Sequence, residues 1–278
     1  MNTDYELEEV IRIARQAAKL VRDVYETGFT VDYKGKDDPV TRADREANEL
    51  ICNALSVSFP RDAIIAEESA PTNPDDLARL VAFSRVWFVD PVDGTREFTE
   101  HIEEFAVMIG LSVAGRANLG VLAMPLSGQV IAGRVGSSAF VEDSNGLRRP
   151  IYINDVKIPD DKTIIISRSH RPPFLEDLKK GFDAKQVVKC GSVGVKVIRL
   201  LFGQAHLYVH GTGTKRWDAC GPEAVLLAAG GRFTDLTGTP IFYSSPDLVL
   251  RTGILAGNTI LHARAVATML ELQKTAAQ

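Results

Sequence analysis

Residues 86–95 read Val86-Trp87-Phe88-Val89-Asp90-Pro91-Val92-Asp93-Gly94-Thr95, an apolar run that leads into two acids three positions apart. The apolar run predicts a buried strand. A proline and then a glycine shape the turn that follows, so Asp90 and Asp93 are expected to emerge together at the end of that strand. Carboxylates are good ligands for a hard cation such as Mg²⁺, and the amides of Gly94 and Thr95 at a helix start can face an anion. The stretch indicates phosphoryl chemistry, or else an ordinary solvated Asp-Pro and Asp-Gly turn.

Composition restricts the classes of protein. With 278 residues, 45% of them hydrophobic, the chain can bury one large core or two modest ones. A net charge of −4 gives no reason to expect a nucleic-acid polymer as partner. Cys52, Cys190 and Cys220 form no CxxC pair and predict a reducing compartment. The start is polar, and no apolar run approaches the ~20 residues that span a bilayer, so the sequence predicts a cytoplasmic protein without a membrane partner.

Apolar periodicity predicts an α+β first half and an α/β second half. In the first half we expect helices at 4–27 and 41–56, a polar connection at Lys34–Pro39 between them, and strands at 63–66, 86–89, 105–113, 118–124, 129–134 and 138–142. In the second half we expect strands at 163–167, 186–189, 205–209 and 251–256, and helices at 173–180, 193–203, 217–229 and 258–273. These patterns predict two domains, a metal-binding half at 1–150 and a substrate-binding half at 151–278, with a cleft between them.

Two other segments place acids next to predicted elements. Glu67 and Glu68 follow the apolar run Ala63–Ala66, and Asp218 lies at the start of an apolar helix. Taken alone, Glu67 and Glu68 are explained equally well as a charged loop edge, and Asp218 is more commonly a helix N-terminal acid that interacts with the macrodipole. Glu67, Asp90, Asp93 and Asp218 together make a four-carboxylate set, and such a set repels itself unless cations neutralise it.

Three motifs, in this order and spacing, resemble those of the lithium-sensitive, Mg²⁺-dependent phosphatases: Glu67-Glu68-Ser69, Asp90-Pro91-Val92-Asp93-Gly94-Thr95 and Trp217-Asp218. That family includes inositol monophosphatases, fructose-1,6-bisphosphatases and 3′(2′),5′-bisphosphate nucleotidases. The resemblance covers nearly the whole chain. It implies a layered α-β-α-β-α sandwich as the fold.

The resemblance also implies a site that holds two or three Mg²⁺ ions. One ion would be held by Glu67, Asp90 and the carbonyl of Val92, and a second by Asp90, Asp93 and Asp218. Thr95, supported by Asp44, would position and deprotonate the attacking water, with Glu67 assisting. The amides of Gly94 and Thr95 would hold the phosphate, and no phosphoenzyme is expected.

The residues after the two acids favour a nucleotide substrate within this family. Arg96-Glu97-Phe98 is similar to the Lys-Glu-Phe or Lys-Glu-Tyr of bisphosphate nucleotidases, although Arg replaces Lys, whereas inositol monophosphatases have Thr-Asn-Phe or similar. The segments 167–170, 191–196 and 215–218 also resemble those of the nucleotidases. These segments imply substrate contacts from Arg168, Ser169, His170, Ser192, Lys196 and Lys215, in addition to those from Gly94 and Thr95 in the Asp90–Thr95 motif.

The expected reaction is hydrolysis of adenosine 3′,5′-bisphosphate to AMP and phosphate. An inositol monophosphatase or a broad sugar-phosphate phosphatase is the alternative enzyme, and a metal-dependent binding protein without turnover is the alternative class. No aromatic residue is assigned to the adenine, because Tyr208, Trp217 and Phe233 are expected in the core. The expected partner is a small phosphorylated substrate, and the chain is expected to be a monomer or a homodimer.

Overall fold

Two β-sheets with a pair of helices between them form the centre of the molecule. The computed structural model describes residues 3–35, 38–153, 159–211 and 213–276. Within these ranges the helices are α1 (Thr3–Thr27), α2 (Arg42–Ser58), α3 (Pro74–Val81), α4 (Thr95–Thr99), α5 (Leu175–Phe182), α6 (Val193–Leu201), α7 (Arg216–Ala228) and α8 (Thr259–Ala276). The strands are β1 (Asp32–Gly35), β2 (Asp38–Val40), β3 (Ala63–Ala66), β4 (Arg85–Asp93), β5 (Ala106–Val113), β6 (Arg116–Ala123), β7 (Val130–Arg134), β8 (Ala139–Glu142), β9 (Arg148–Ile151), β10 (Thr163–Ser167), β11 (Gln186–Cys190), β12 (Leu207–His210), β13 (Thr214–Lys215), β14 (Arg232–Thr234), β15 (Val249–Leu250) and β16 (Ile254–Gly257).

The first sheet has seven strands in the order β3-β4-β5-β6-β7-β8-β9. β3 and β4 are parallel, and the pairs from β4 to β9 are antiparallel. Successive side chains of β4 alternate between two cores, as strand geometry requires. Trp87 and Val89 pack in the core under α1 and α2, whereas Val86 and Phe88 pack in the core between the sheets. The apolar run is therefore buried on both faces.

The second sheet has five strands in the order β11-β10-β12-β16-β14. β10 runs parallel to β11 and β12, and β16 runs antiparallel to β12 and β14. α6 and α7 lie between the two sheets, and α5 and α8 cover the outer face of the second sheet. The layers are thus α1 and α2, the first sheet, α6 and α7, the second sheet, and α5 and α8. This order confirms the predicted α-β-α-β-α sandwich.

Several local features differ from the predictions, and the short strands β9, β13, β14 and β15 all begin where no strand is predicted. α3 lies where no helix is predicted, although Asn73 caps it and Pro74 occupies its first turn, both common helix-start signals. β1 and β2 pair as an antiparallel hairpin where a connection without strands is predicted. β4 continues through the two acids to Asp93, with a register shift between Asp90 and Asp93, so the acids lie within an irregular strand end rather than after it.

The domain boundary at residue 150 stays a prediction. Sheet membership changes near it, since β9 ends at Ile151 and β10 begins at Thr163. α7, however, belongs to the second half of the chain and packs against β4, β5, β6 and β7 of the first sheet. No helix within the described ranges is both long and apolar enough to cross a bilayer.

Candidate active site

A cavity of about 310 Å³ opens where the end of β4 meets the N-termini of α4, α6 and α7. Its lining comprises Asp38, Pro39, Glu67, Asp90, Val92, Asp93, Gly94, Thr95, Arg96, Glu97, Ser167, Ser169, His170, Gly191, Val193, Lys196, His210, Gly213, Thr214 and Asp218. A larger cavity of about 510 Å³ lies beside Leu200, Phe202 and Leu261, away from these acids. The smaller cavity is the candidate site because the four carboxylates of the sequence motifs meet there.

Different elements hold the acids in place. Asp90 Oδ1 accepts a hydrogen bond from Val92 N at 3.1 Å within the irregular end of β4. Asp93 Oδ2 accepts from Gly194 N at 2.8 Å, at the N-terminus of α6. Asp218, in the first turn of α7, accepts from Lys215 N at 2.8 Å through Oδ2. Three acids from two distant segments are therefore fixed by backbone donors around one cavity.

Burial and mutual repulsion make these acids hard to ionise together. Burial raises the pKa of Asp90 well above its usual value, and the charges of Glu67, Asp93 and Asp218 raise it further. The pKa of Asp218 is raised well above its usual value by burial and then by Asp93 and Glu67. Burial also raises the pKa of Glu67, to about 7, although Lys34 opposes the shift. A bound cation would remove this penalty for all of them.

The donors suit a hard cation, although they do not yet form a closed coordination shell. Four carboxylates and the Val92 carbonyl offer the oxygen ligands that Mg²⁺ prefers. In the described part of the chain, no three His, Cys, Asp or Glu side chains already stand in a metal-ligating arrangement. Lys34 Nζ lies 2.9 Å from Glu67 Oε1 and 2.7 Å from Glu68 Oε1. The ammonium group of the β1–β2 hairpin thus supplies Glu67 with positive charge.

Thr95 lines the same cavity, and its hydroxyl is hydrogen-bonded to Asp44, which is buried and is not among the described residues that line it. Asp44 lies in the first turn of α2, where its Oδ2 accepts from the backbone and hydroxyl of Thr41, each at 2.7 Å. Its Oδ1 is 2.8 Å from the Thr95 hydroxyl, which also lies 2.9 Å from the Val92 carbonyl. One hydroxyl hydrogen can serve only one of these acceptors at a time. Burial raises the pKa of Asp44, so this carboxylate takes up a proton more readily than an exposed aspartate.

Gly94 allows the chain to turn from β4 into α4. Its φ of 98° lies in the left-handed region that favours glycine. A Cβ at this position would lie only 2.6 Å from the carbonyl oxygen of Glu104. The backbone between Asp93 and Thr95 therefore requires glycine for two independent reasons.

The other expected substrate contacts divide into two groups. Ser169, His170 and Lys196 line the cavity, and Lys196 is fully buried with its Nζ 2.7 Å from the Gly191 carbonyl. Arg168, Ser192 and Lys215 are absent from the lining that the described residues form. The guanidinium of Arg168 pairs with Glu97 and Glu104, the Ser192 hydroxyl donates to Asp93, and the Lys215 amine lies 5.8 Å from the Trp217 ring centre.

Several residues at the cavity carry no assigned role in the sequence-based predictions. Glu97 lies two residues beyond the Asp90–Thr95 motif, so its proximity to the cavity can be inferred from spacing. His210 ends β12, with Nδ1 3.3 Å from the Tyr208 hydroxyl and its ring 6.0 Å from that of His170. No local signal marks His210, because its place depends on which sheet edge β12 reaches. Tyr208, Trp217 and Phe233 are buried in the core, as predicted.

Comparison with known proteins agrees with this geometry. Residues 4–274 match the model of the inositol monophosphatase family. The chain is 32% identical to 3′(2′),5′-bisphosphate nucleotidase 1 of Rattus norvegicus, in a match that covers 83% of each chain. It is 32% identical to 3′(2′),5′-bisphosphate nucleotidase CysQ of Escherichia coli O157:H7, covering 89% of this chain and 97% of that protein. The solved structure of the Thermotoga maritima IMPase is similar with a TM-score of 0.77 at 22% identity, covering 97% of this chain and 98% of that one.

By class, the protein is a phosphoric monoester hydrolase. The chain belongs to the inositol monophosphatase family. This family is generally metal-dependent and acts on small phosphorylated substrates.

Proposed function

We propose that the protein is a Mg²⁺-dependent 3′(2′),5′-bisphosphate nucleotidase that hydrolyses adenosine 3′,5′-bisphosphate to AMP and phosphate. The observation that carries the proposal is the meeting of four carboxylates at one cavity, together with Thr95, whose hydroxyl is hydrogen-bonded to the buried Asp44. The curated relatives at 32% identity are named as enzymes of this specificity, which supports the choice of substrate. Arg96-Glu97-Phe98 supports the same choice.

Glu67, Asp90, the Val92 carbonyl, Asp93 and Asp218 would hold the Mg²⁺ ions. Bound there, Mg²⁺ would neutralise the phosphate and lower the pKa of the attacking water. The chain contributes rigidity, since Asp90, Asp93 and Asp218 each have one oxygen fixed by a backbone N–H. Because the backbone aims the acids beforehand, little reorganisation is needed when the substrate arrives.

Thr95 and Asp44 would remove the proton from the attacking water. The Thr95 oxygen would accept the water's hydrogen bond while its own hydrogen points to Asp44 Oδ1, 2.8 Å away. As the Thr95 oxygen takes the water's proton, its own hydroxyl proton would pass to Asp44, whose raised pKa makes that uptake easier. The Gly94 and Thr95 amides at the start of α4 would meet the phosphate oxygens.

The second phosphate of the substrate would be met by the far wall of the cavity. Lys196, Ser169 and His170 line it and carry the donors that a phosphate needs. Lys196 is fully buried, and burial lowers its pKa; an anion brought beside it would oppose that shift and favour the charged amine. A substrate with a single phosphate would leave this wall unused.

Phosphate release from three substrates tests the proposal. Adenosine 3′,5′-bisphosphate, inositol 1-phosphate and fructose 1,6-bisphosphate would each be assayed with and without Mg²⁺. We expect the highest kcat/KM for the nucleotide and no turnover after removal of Mg²⁺. A tenfold preference for the inositol ester would replace the nucleotidase by an inositol monophosphatase. Release from none of the three would favour a binding protein without turnover.

A further inference from the structure

The segment 191–194, which forms the turn into α6, holds the carboxylate of Asp93 by hydrogen bonds. The Ser192 hydroxyl and Gly194 N both donate to Asp93 Oδ2, the latter at 2.8 Å. The same hydroxyl accepts from Val195 N at 3.0 Å, so it also caps the helix. With Oδ2 committed in this way, Asp93 has its other oxygen to offer to a cation. The turn at 191–194 thereby sets the orientation of a proposed metal ligand.

Two acids from the first half of the chain hold this turn from its other side. Glu104 Oε2 accepts from Gly191 N at 3.3 Å. The carboxylate of Glu97 packs directly on Gly191, since a Cβ there would lie 1.8 Å from Glu97 Cδ. Any other residue at 191 would push the turn away from Glu97. The turn is thus confined between Asp93 on one side and Glu97 and Glu104 on the other.

Arginines from the second half of the chain hold these two acids. Arg168, which follows β10, places Nε 3.2 Å from Glu97 Oε1 and also pairs with Glu104. Arg199, on α6, places its guanidinium 2.8 Å from Glu104 Oε1. The guanidinium of Arg168 is therefore shared between two carboxylates beside the cavity, an arrangement that suits a structural cation better than a phosphate ligand.

We propose that Glu97 and Glu104 are positioning residues that, through Arg168 and the 191–194 turn, orient Asp93 toward the cation. The inference rests on the proposed function, because it concerns the metal ligand that function requires. It assigns Arg168 a role different from the substrate contact that the family resemblance implies. Residues that orient metal ligands in this way typically change metal affinity by about 10–100-fold when they are substituted.

Direct binding of Mg²⁺ to the metal-free protein, measured by titration calorimetry, tests this role without any substrate. We expect Glu104→Gln and Glu97→Gln each to raise the Kd for Mg²⁺ by about tenfold or more while the proteins remain folded by circular dichroism. Glu97→Gln leaves the Glu104–Gly191 hydrogen bond in place, so it keeps the test decisive if Glu104→Gln fails to fold.

Glu6→Gln is the matched control. Glu6 is a buried acid, 5% exposed, that pairs with Arg85 and Arg134 outside the lining of the cavity. We expect this variant to lose stability without any change in the Kd for Mg²⁺. Equal effects of Glu6→Gln and Glu104→Gln on that Kd, or no effect of either Glu97→Gln or Glu104→Gln, would overturn the proposal.

Arg168→Lys separates a positioning role from a substrate contact. As part of the positioning network, it should weaken Mg²⁺ binding in the absence of substrate. A raised KM for adenosine 3′,5′-bisphosphate with unchanged Mg²⁺ affinity would overturn the proposal and assign Arg168 to the substrate. Mg²⁺ binding without hydrolysis of the nucleotide would overturn the proposed function alone, whereas a parent protein that binds no Mg²⁺ would overturn both.

Discussion

Hydrogen bonds to one carboxylate oxygen determine how the acids of the site are oriented. Asp44 commits Oδ2 to Thr41, and Asp218 commits Oδ2 to Lys215 N, so in both residues the other oxygen is available for chemistry. Thr95 depends on this arrangement, because its hydroxyl meets Asp44 Oδ1 at 2.8 Å. A fixed carboxylate loses no rotational freedom when it accepts a proton or a cation, which favours both events.

Thr95→Val tests the proton path at this scale. The substitution keeps the shape of the side chain but removes the hydroxyl, so we expect kcat to fall by about 10²–10⁴-fold, as for loss of a proton-transfer group. The Kd for Mg²⁺ should stay the same. Steady-state kinetics and calorimetry measure the two quantities, and Thr95→Ser, which retains the hydroxyl, should recover most of the rate. Full activity of the valine variant would remove Thr95 from the mechanism.

At the scale of elements, α7 connects the first sheet to the active-site cavity. It packs so closely on β5 and β6 that a Cβ on Gly110 would lie 2.4 Å from Gly221 N, and one on Gly120 would lie 2.2 Å from Gly221 O. Asp218 lies in the first turn of the same helix. The distance between α7 and the first sheet therefore determines where Asp218 lies in the cavity.

Gly110→Ala should move α7 outward. We expect a loss of about 1–3 kcal/mol in the free energy of unfolding, the usual cost of overpacking, together with weaker Mg²⁺ binding because Asp218 moves with the helix. Urea unfolding and calorimetry are the measurements. Gly35→Ala, in an exposed strand where the nearest atom would lie 3.9 Å away, is the control. Unchanged stability of Gly110→Ala would contradict the close packing.

Glu223 of α7 makes the stability of the protein depend on pH. Burial raises its pKa from 4.5 to about 8, against the hydrogen bond from Tyr243. Because the folded state holds the proton more tightly than the unfolded state, the stabilisation is complete below pH 4.5 and is lost as the pH rises through about 8.

Glu223→Gln removes this dependence. Between pH 6 and pH 8 the parent protein should lose about 2 kcal/mol more in its free energy of unfolding than the variant does. Urea unfolding of both proteins at the two pH values gives the comparison. Identical pH dependence in parent and variant would show that Glu223 is ionised in the folded state throughout this range.

At the scale of the whole molecule, buried negative charge couples folding to cation binding. Asp90 and Asp93 are buried and Asp218 is partly buried, and desolvation raises the pKa of each. A ligand that binds only the folded state stabilises it by about 2.7 kcal/mol at a concentration of 100 times Kd. Mg²⁺ should therefore raise the thermal midpoint of the parent protein, and EDTA should reverse the rise. In Asp93→Asn the rise should be much smaller although the metal-free protein folds, and an equal rise would exclude Asp93 as a ligand.

Much of the fold could be predicted because its signals are local. The period of apolar residues marks α1, α2 and most strands, and the alternation of elements after residue 160 indicates the second sheet. α3 is missing from the prediction because it is short, and the strand at Asp90 and Asp93 is predicted too short because a bulge keeps an irregular segment paired. The β1–β2 hairpin is missing because β1 is exposed along its whole length and β2 has only three residues, so neither carries an apolar alternation.

The sequence by itself determined the layered fold, the family and the set of carboxylates, because each of these is recorded in residue types at fixed spacings along the chain. Only the tertiary structure decided which of the expected substrate contacts face the cavity. Arg168 turns to Glu97 and Glu104, Ser192 turns to Asp93, and Lys34 reaches Glu67 from a hairpin. The reason is physical: the direction of a charged side chain depends on the opposite charges and donors that folding brings beside it, and these come from distant parts of the chain.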